Sequence, residues 1–267
     1  VENSLQSVVG LLTGNDADLQ LEAAWCLTNI SAGTSEHALA VAKMAAPYLI
    51  TYLGSSNNAL QDQCAWALGN IAGDSAECRN LLHAQGIVAP IVNLLKSPVP
   101  AVVQSAAFAI SNIARESPAV TRYPGYSPSV HEPGQREQGH SNRDRLDPYL
   151  PFYNSYPIVT PLLRCLGNVC SGPDEYTEQA LENPRLLHTL GVYLDSTVKY
   201  VVKETLWVLS NIALYVLNNL ACHGEEACSC LLRHKVLQGF TPTLKTHDAD
   251  VLNLALGFIE MMLRMCP

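Results

Sequence analysis

The stretch "AWALGN", residues 65–70, decides how this chain is read. It places a tryptophan and, one helical turn later, an asparagine in a segment otherwise built from small and apolar residues. "AWCLTN" stands at 24–29 and "AFAISN" at 107–112, so the pattern recurs after 41 and then 42 residues. Arg164 in "LLRCLGN" heads a fourth copy, and Trp207 in "TLWVLSN" heads a fifth, 43 residues later. Apolar stretches such as "AAPYLITYLGSS" (45–56) and "IVAPIVNLLKSP" (87–98) precede the copies, and turn-rich segments such as "SAGTSEH" and "CSGPDEY" follow them.

A fixed period of this length marks a repeat architecture. With no strand-like alternation, it predicts an all-α fold of the armadillo or HEAT kind. The expected form is a right-handed armadillo-repeat superhelix, an α-solenoid of about five to six repeats with one incomplete. Within one repeat, 75–85 reads as a short first helix broken by Gly86, 89–97 as a second, and 101–115 as a long third. Pro98 and Pro100 punctuate the turn before that third helix.

The period fails twice. From Phe108 to Arg164 is 56 residues, too long for one repeat and too short for two. The surplus is rich in Pro, Gly, Ser, Tyr and charge, with little helical periodicity. Three regions are therefore expected: N-terminal repeats over 1–116, an irregular loop over 117–156, and C-terminal repeats over 157–267. After Trp207, "YVLNN" (215–219) starts what looks like another repeat core only eight residues on. Two third helices have fused there, or most of a repeat is missing.

Composition narrows the function. Hydrophobic residues make up 48% and charged residues 15%, which fits side chains hidden between packed helices. A formal net charge of −8 disfavours nucleic acid as a partner and favours basic peptides. Most of the nine cysteines fall in apolar helical stretches, Cys26, Cys64, Cys165 and Cys170 among them, and read as buried reduced thiols. The group Cys222, Cys228, Cys230 and His234 matches no common zinc spacing, so no metal site is expected. The most membrane-like stretch, 205–222, carries Ser210, Asn211, Asn218 and Asn219 and reads as a core helix. No phosphate-binding glycine loop, no HExxH and no Cys/His pair on a strand–turn–helix is present, so no catalytic residue and no cofactor are expected. The opening "VENSLQ" shows no signal peptide and lacks a Met, as a fragment would.

Asparagine is the residue that needs explaining. It is unfavourable inside helices because its amide competes with the backbone, and burying it unpaired costs about 1–3 kcal/mol. Yet Asn29, Asn70, Asn112, Asn168 and Asn211 hold the same slot in five copies. A carboxamide offers both a donor and an acceptor, so a row of them could clamp the backbone of an extended peptide. Residues at i and i+4 share a helix face, so the aromatic rings form a second row. Between them a Lys or Arg stem could insert, gaining about 0.5–2 kcal/mol of cation–π attraction. The bland alternative, aromatic residues simply filling core, is about equally good for any single Trp.

"LEAAWCLTNISAGTSE" and "DQCAWALGNIAGDS" closely resemble the armadillo repeats of the importin-α family, adaptors that recognise nuclear localisation signals. "PIVTPLLRCLGNVCSGPDEYTEQ" and "KETLWVLSNIA" resemble later repeats of the same family. Other wording, "SVVGLLTGNDADLQLEAAWCL" and "YLITYLGSS", is similar to a divergent relative, the transmembrane and coiled-coil domain-containing protein 6 group. The importin-α resemblance implies a major peptide site at Trp25, Asn29, Trp66, Asn70, Phe108 and Asn112. The main chain at Gly33 and the carboxylate of Asp74 would grip a key lysine. A minor site would use Arg164, Asn168, Thr177, Trp207 and Asn211, with Asp174 adding negative charge.

The resemblance also implies cargo proteins with Lys/Arg-rich segments as partners and a cytoplasmic and nuclear location. An importin-β-type carrier would be a further partner, through a segment that these residues do not include. Two departures weaken the major site: a threonine that helps hold the key lysine is replaced by Ala38, and Phe108 replaces a third tryptophan. The rival expectation is a non-catalytic armadillo scaffold for another extended partner, a membrane-associated one included, favoured by the irregular 116–157 region.

Overall fold

In the computed structural model, residues 2–115, 155–218, 244–245 and 249–265 are described. Every regular element among them is a helix. The chain divides into two compact units, Val1–Tyr126 and Ser127–Pro267.

Unit 1 contains α1 (Glu2–Leu12), α2 (Ala17–Ser31), α3 (Ser35–Met44), α4 (Ala46–Tyr52), α5 (Asn58–Asp74), α6 (Ala76–Ala84), α7 (Val88–Leu94) and α8 (Pro100–Ile113). The three-helix repeat is plain in α3–α4–α5 and again in α6–α7–α8. The long third helices α2, α5 and α8 pack side by side. Their starts are fixed locally. Asp16 caps α2 by accepting from the amides of Asp18 and Leu19, and Asn57 caps α5 through those of Ala59 and Leu60. Pro100 does more than mark a turn: it occupies the first turn of α8, where a missing N–H costs nothing. Gly86 ends the α6 segment with φ +79°, a backbone conformation that glycine adopts without penalty.

The core of unit 1 is aliphatic and fully buried, with Leu27, Leu49, Leu60, Leu68, Ile71, Leu82, Ile91 and Ile110 at its centre. Alanines on the third helices (Ala24, Ala65, Ala67, Ala106, Ala107) let the helices approach closely. The tryptophans take no part in this filling. Trp25 is 54% exposed and Trp66 50% exposed, so the core-filling reading of these two residues is set aside.

Unit 2 contains α9 (Tyr156–Cys170), α10 (Asp174–Leu181), α11 (Leu186–Leu194), α12 (Lys199–Asn218) and α13 (Ala249–Met265). Leu163, Leu187, Leu190, Leu206, Leu209, Ile212 and Val251 form its core. The α12 helix runs unbroken past both Trp207 and Tyr215, so 199–218 is one helix. No helix among the described residues is long and apolar enough to cross a membrane. Most of the expected loop over 117–156 lies outside the described residues, as does the Cys222, Cys228, Cys230 and His234 group. One cysteine expectation is corrected. Cys26 is exposed beside Trp25, whereas Cys64, Cys78, Cys165 and Cys170 are buried.

Candidate peptide-binding faces

In unit 1 the repeated asparagines form a hydrogen-bonded series. Asn70 Nδ2 donates to the backbone carbonyl of Thr28 at 3.1 Å, and Asn112 Nδ2 donates to that of Gly69 at 3.0 Å. Each acceptor immediately precedes the asparagine of the previous repeat. The asparagine of one third helix is thereby tied beside the asparagine of the one before, and Asn29, Asn70 and Asn112 stand in a single row across α2, α5 and α8. Asn29 heads the row and is exposed.

This geometry gives the carboxamide an internal use that the sequence reading did not include. One N–H is spent on the neighbouring helix, which offsets the cost of a polar group in an apolar setting. The oxygen and the second N–H stay available for a ligand backbone.

The Phe108 ring is seated by the glycine just before Asn70. A Cβ added at Gly69 would lie 2.6 Å from the Phe108 ring, so that ring rests on bare helix backbone. Gly73 clears space in the same way for the Asn112 amide, with its nearest atom 3.1 Å from a Cβ built there. Phe108 is partly buried by this fit, whereas Trp25 and Trp66 stand out.

At the end of α5, Asp74 is half-buried and accepts a 2.9 Å hydrogen bond from the Ser35 hydroxyl, 39 residues earlier. The Cys78 thiol lies 3.9 Å from the other carboxylate oxygen. Gly33 is exposed two residues before Ser35. Ala38 is fully buried, so that position offers a ligand nothing.

Unit 2 repeats the plan. Asn211 Nδ2 donates to the carbonyl of Gly167, the residue before Asn168, at 2.9 Å. Trp207 packs on Gly167, where an added Cβ would meet its ring at 2.3 Å. Arg164, in the aromatic slot of α9, pairs with Glu204 of α12; its Nε lies 3.1 Å from Oε1, and Nη2 meets the same oxygen. The guanidinium charge is balanced within the protein. Asp174 is exposed in the first turn of α10. Thr177 needs correction: it is fully buried and its hydroxyl donates to the Cys170 carbonyl at 3.2 Å. Packing against α9 turns it inward, so it is not part of an exposed face.

Comparison with known proteins agrees with this geometry. A family profile described as HEAT-like repeat matches residues 17–71. Importin subunit alpha-9 of Arabidopsis thaliana is 27% identical over 340 aligned residues, covering 95% of this chain and 64% of that protein. Importin subunit alpha-2 of the same plant is 40% identical over 113 residues, 41% of this chain and 21% of the relative. The chain is thus similar to importin α subunits, and its fold is that of an armadillo-repeat solenoid.

Solved structures extend the likeness over nearly the whole chain. An engineered protein superposes with a TM-score of 0.79 at 25% identity, covering 98% of this chain and 97% of its own. A designed armadillo repeat protein, in complex with the peptide (KR)4, gives 0.77 at 22% identity, with 97% and 99% covered. The chain spans less than two thirds of the curated relatives it matches. The alignment with alpha-9, at 340 residues, is longer than the 267-residue chain itself, so the relative carries residues with no counterpart here.

Sequence reasoning missed the pairing partners: Ser35 for Asp74 and Glu204 for Arg164. It also missed what the glycines in "LGN" do, although a signal was present. Glycine inside a helix costs roughly 0.5–1 kcal/mol relative to alanine, and "LGN" occurs at 68–70 and 166–168. A repeated cost next to a repeated asparagine points to a ring and an amide arriving from the next helix.

Proposed function

We propose that this chain is a nuclear import adaptor, binding Lys/Arg-rich localisation signals along the Trp/Asn rows of unit 1. One observation carries the reading. Trp25 and Trp66 are half exposed without contributing to the core, and each lies one turn before an asparagine of the hydrogen-bonded row. Large exposed aromatic side chains in a regular series are binding groups. The half-buried Asp74 at the end of α5 supplies negative charge where the carbonyl end of a helix already favours a cation. The net charge of −8 adds long-range attraction for basic peptides.

Two comparisons support the same assignment. The curated relatives are importin α subunits, and a designed neighbour of the same fold holds a peptide of alternating lysine and arginine. In this proposal Trp25, Asn29, Gly33, Trp66, Asn70, Asp74, Phe108 and Asn112 form the main site. Arg164, Asn168, Asp174, Trp207 and Asn211 form a second. Cargo proteins are the partners, with an importin-β-type carrier as a further one, and the protein works in cytoplasm and nucleus without catalysis.

The test is fluorescence anisotropy with a labelled four-lysine peptide at near-physiological salt, using a four-glutamate peptide as control. Micromolar or tighter binding that Trp66→Ala and Asp74→Asn each weaken is the expected result. Equal binding of the two peptides, or none of either, overturns the proposal and leaves a scaffold for another extended partner.

A further inference from the structure

A polar tie joins α5 and α8 one turn before their aromatic residues. Ser105 of α8 is buried, and its hydroxyl donates to Asp62 Oδ1 on α5. Asp62, Trp66 and Asn70 follow one another at four-residue steps along α5, so they lie along one stripe of that helix. The half-exposed Trp66 ring therefore stands between a carboxamide on one side and a carboxylate on the other. On α8 the order is the same: buried Ser105, then Phe108, then Asn112. The two helices pack side by side and are tied at both ends of this stretch, by Asn112 to Gly69 and by Ser105 to Asp62.

We infer that Asp62 is a specificity-determining residue, the acidic end of a slot beside Trp66 that selects arginine in a bound peptide. The inference rests on the basic-peptide reading proposed above. Length is the first reason. Asp62 lies eight residues before Asn70, about 12 Å of helix at about 1.5 Å per residue. A peptide backbone held at the asparagine row thus needs the longest basic side chain to reach the carboxylate, with its apolar stem lying along the Trp66 ring. Shape is the second. A guanidinium is planar, so it stacks on an aromatic face while forking onto a carboxylate, whereas a lysine ammonium is a point charge that does not fork. Ser105 takes one of the carboxylate's roughly four acceptor positions, which fixes its orientation and leaves Oδ2 to the ligand.

The carboxylate is particular to α5. Four residues before the aromatic slot, the other third helices carry Leu21, Gln104, Thr160 and Lys203. A single position of the ligand is therefore expected to be arginine-selective in unit 1. The probe is a labelled peptide with four arginines in an alanine–glycine frame. Each arginine is replaced in turn by lysine, or by citrulline, which keeps the shape and loses the charge. The set is titrated by fluorescence anisotropy against the wild-type chain, Asp62→Asn and Asp62→Gln. Both substitutions keep a side-chain oxygen as an acceptor for Ser105, and Gln is the residue that α8 carries in this position.

In the wild type, one position should lose roughly tenfold in affinity on replacement by citrulline, the scale of a hydrogen bond involving a charged group. The same position should lose less, but measurably, on replacement by lysine. In the Asp62 variants both penalties should shrink at that position alone. A uniform weakening at all four positions overturns the inference, since one negative charge removed from the protein's overall field acts on every arginine alike. Wild-type binding with no arginine-selective position overturns it whatever the variants do, and so does a scan that the variants leave unchanged; the adaptor reading stands in both cases. If the wild type binds no arginine peptide, the adaptor reading fails and takes this inference with it.

Discussion

Asn112 donates its side-chain amide to the backbone carbonyl of Gly69, 43 residues earlier, at 3.0 Å. Asn70 and Asn211 make the same bond to Thr28 and Gly167. The recurring asparagine is therefore a structural tie between consecutive third helices as well as a candidate ligand contact. The two roles use different atoms of one carboxamide and can be separated by experiment.

Asn112→Ala is expected to destabilise unit 1 by about 1 kcal/mol, the net worth of one hydrogen bond. Asn112→Asp should cost more, because its carboxylate faces a carbonyl with no proton to offer. Urea unfolding monitored by circular dichroism checks both, and equal stability of all three proteins would show the tie to be idle.

Gly69→Ala and Gly167→Ala set helix propensity against packing. Alanine gains about 1 kcal/mol as a helix former, but the new methyl would lie 2.6 Å from the Phe108 ring or 2.3 Å from the Trp207 ring. Overpacking of this kind costs about 1–3 kcal/mol, so both variants should be net destabilised. Removing the ring relieves the clash, so Gly69→Ala/Phe108→Ala should cost less than the sum of its single changes. Additive losses in thermal melts would count against the contact.

Arg164 and Glu204 should respond unequally. The Glu204 side chain is 13% exposed and that of Arg164 is 50% exposed. Arg164→Met leaves a mostly buried carboxylate without its cation and is expected to cost about 1–3 kcal/mol. Glu204→Gln leaves a guanidinium that water can solvate, so it should cost under about 1 kcal/mol. It also uncovers a positive charge, so any binding of basic peptides to unit 2 should weaken. Calorimetry on the two variants distinguishes their order.

His83 gives the protein an acid-sensitive point. Burial is the main reason its imidazole is held below its ordinary pKa, and the Arg79 guanidinium pushes the same way; the hydrogen bond to the Ile113 carbonyl opposes them. The ring shares its Nε2 with that carbonyl at 3.2 Å, and its buried Nδ1 has no partner. The unfolded chain therefore takes up a proton at higher pH than the folded one. Stability is full above the unfolded value, about 6.5, and falls as pH drops through it toward the lower folded value. His83→Gln keeps a donor for Ile113 but cannot titrate. Its melting temperature should fall less than that of the wild type between pH 7 and pH 5, and parallel curves would refute this account.

Thiol chemistry should follow burial. Cys64 and Cys170 are pushed up to about 12 by burial, so they hold almost no thiolate at neutral pH. Among the described cysteines, the exposed Cys26 should be alkylated first by iodoacetamide, as read by peptide mass mapping. Because it adjoins Trp25, a bound basic peptide should slow that reaction.

The amino-acid sequence by itself determined the helical class, the period of about 42 residues and the positions of Trp25, Trp66 and the five asparagines. These follow from local chemistry. Caps at Asp16, Asn57 and Ser75, proline at position 100 and glycine at 86 act over a few residues, and apolar periodicity needs only its own helix. Only tertiary structure decided which side chains face a neighbour 39 to 44 residues away. That Ser35 meets Asp74, that Asn112 meets Gly69, that Asn211 meets Gly167 and that Arg164 is neutralised by Glu204 all depend on how one repeat stacks on the next. Stacking register is set by the summed packing of many aliphatic side chains, and no single residue encodes it.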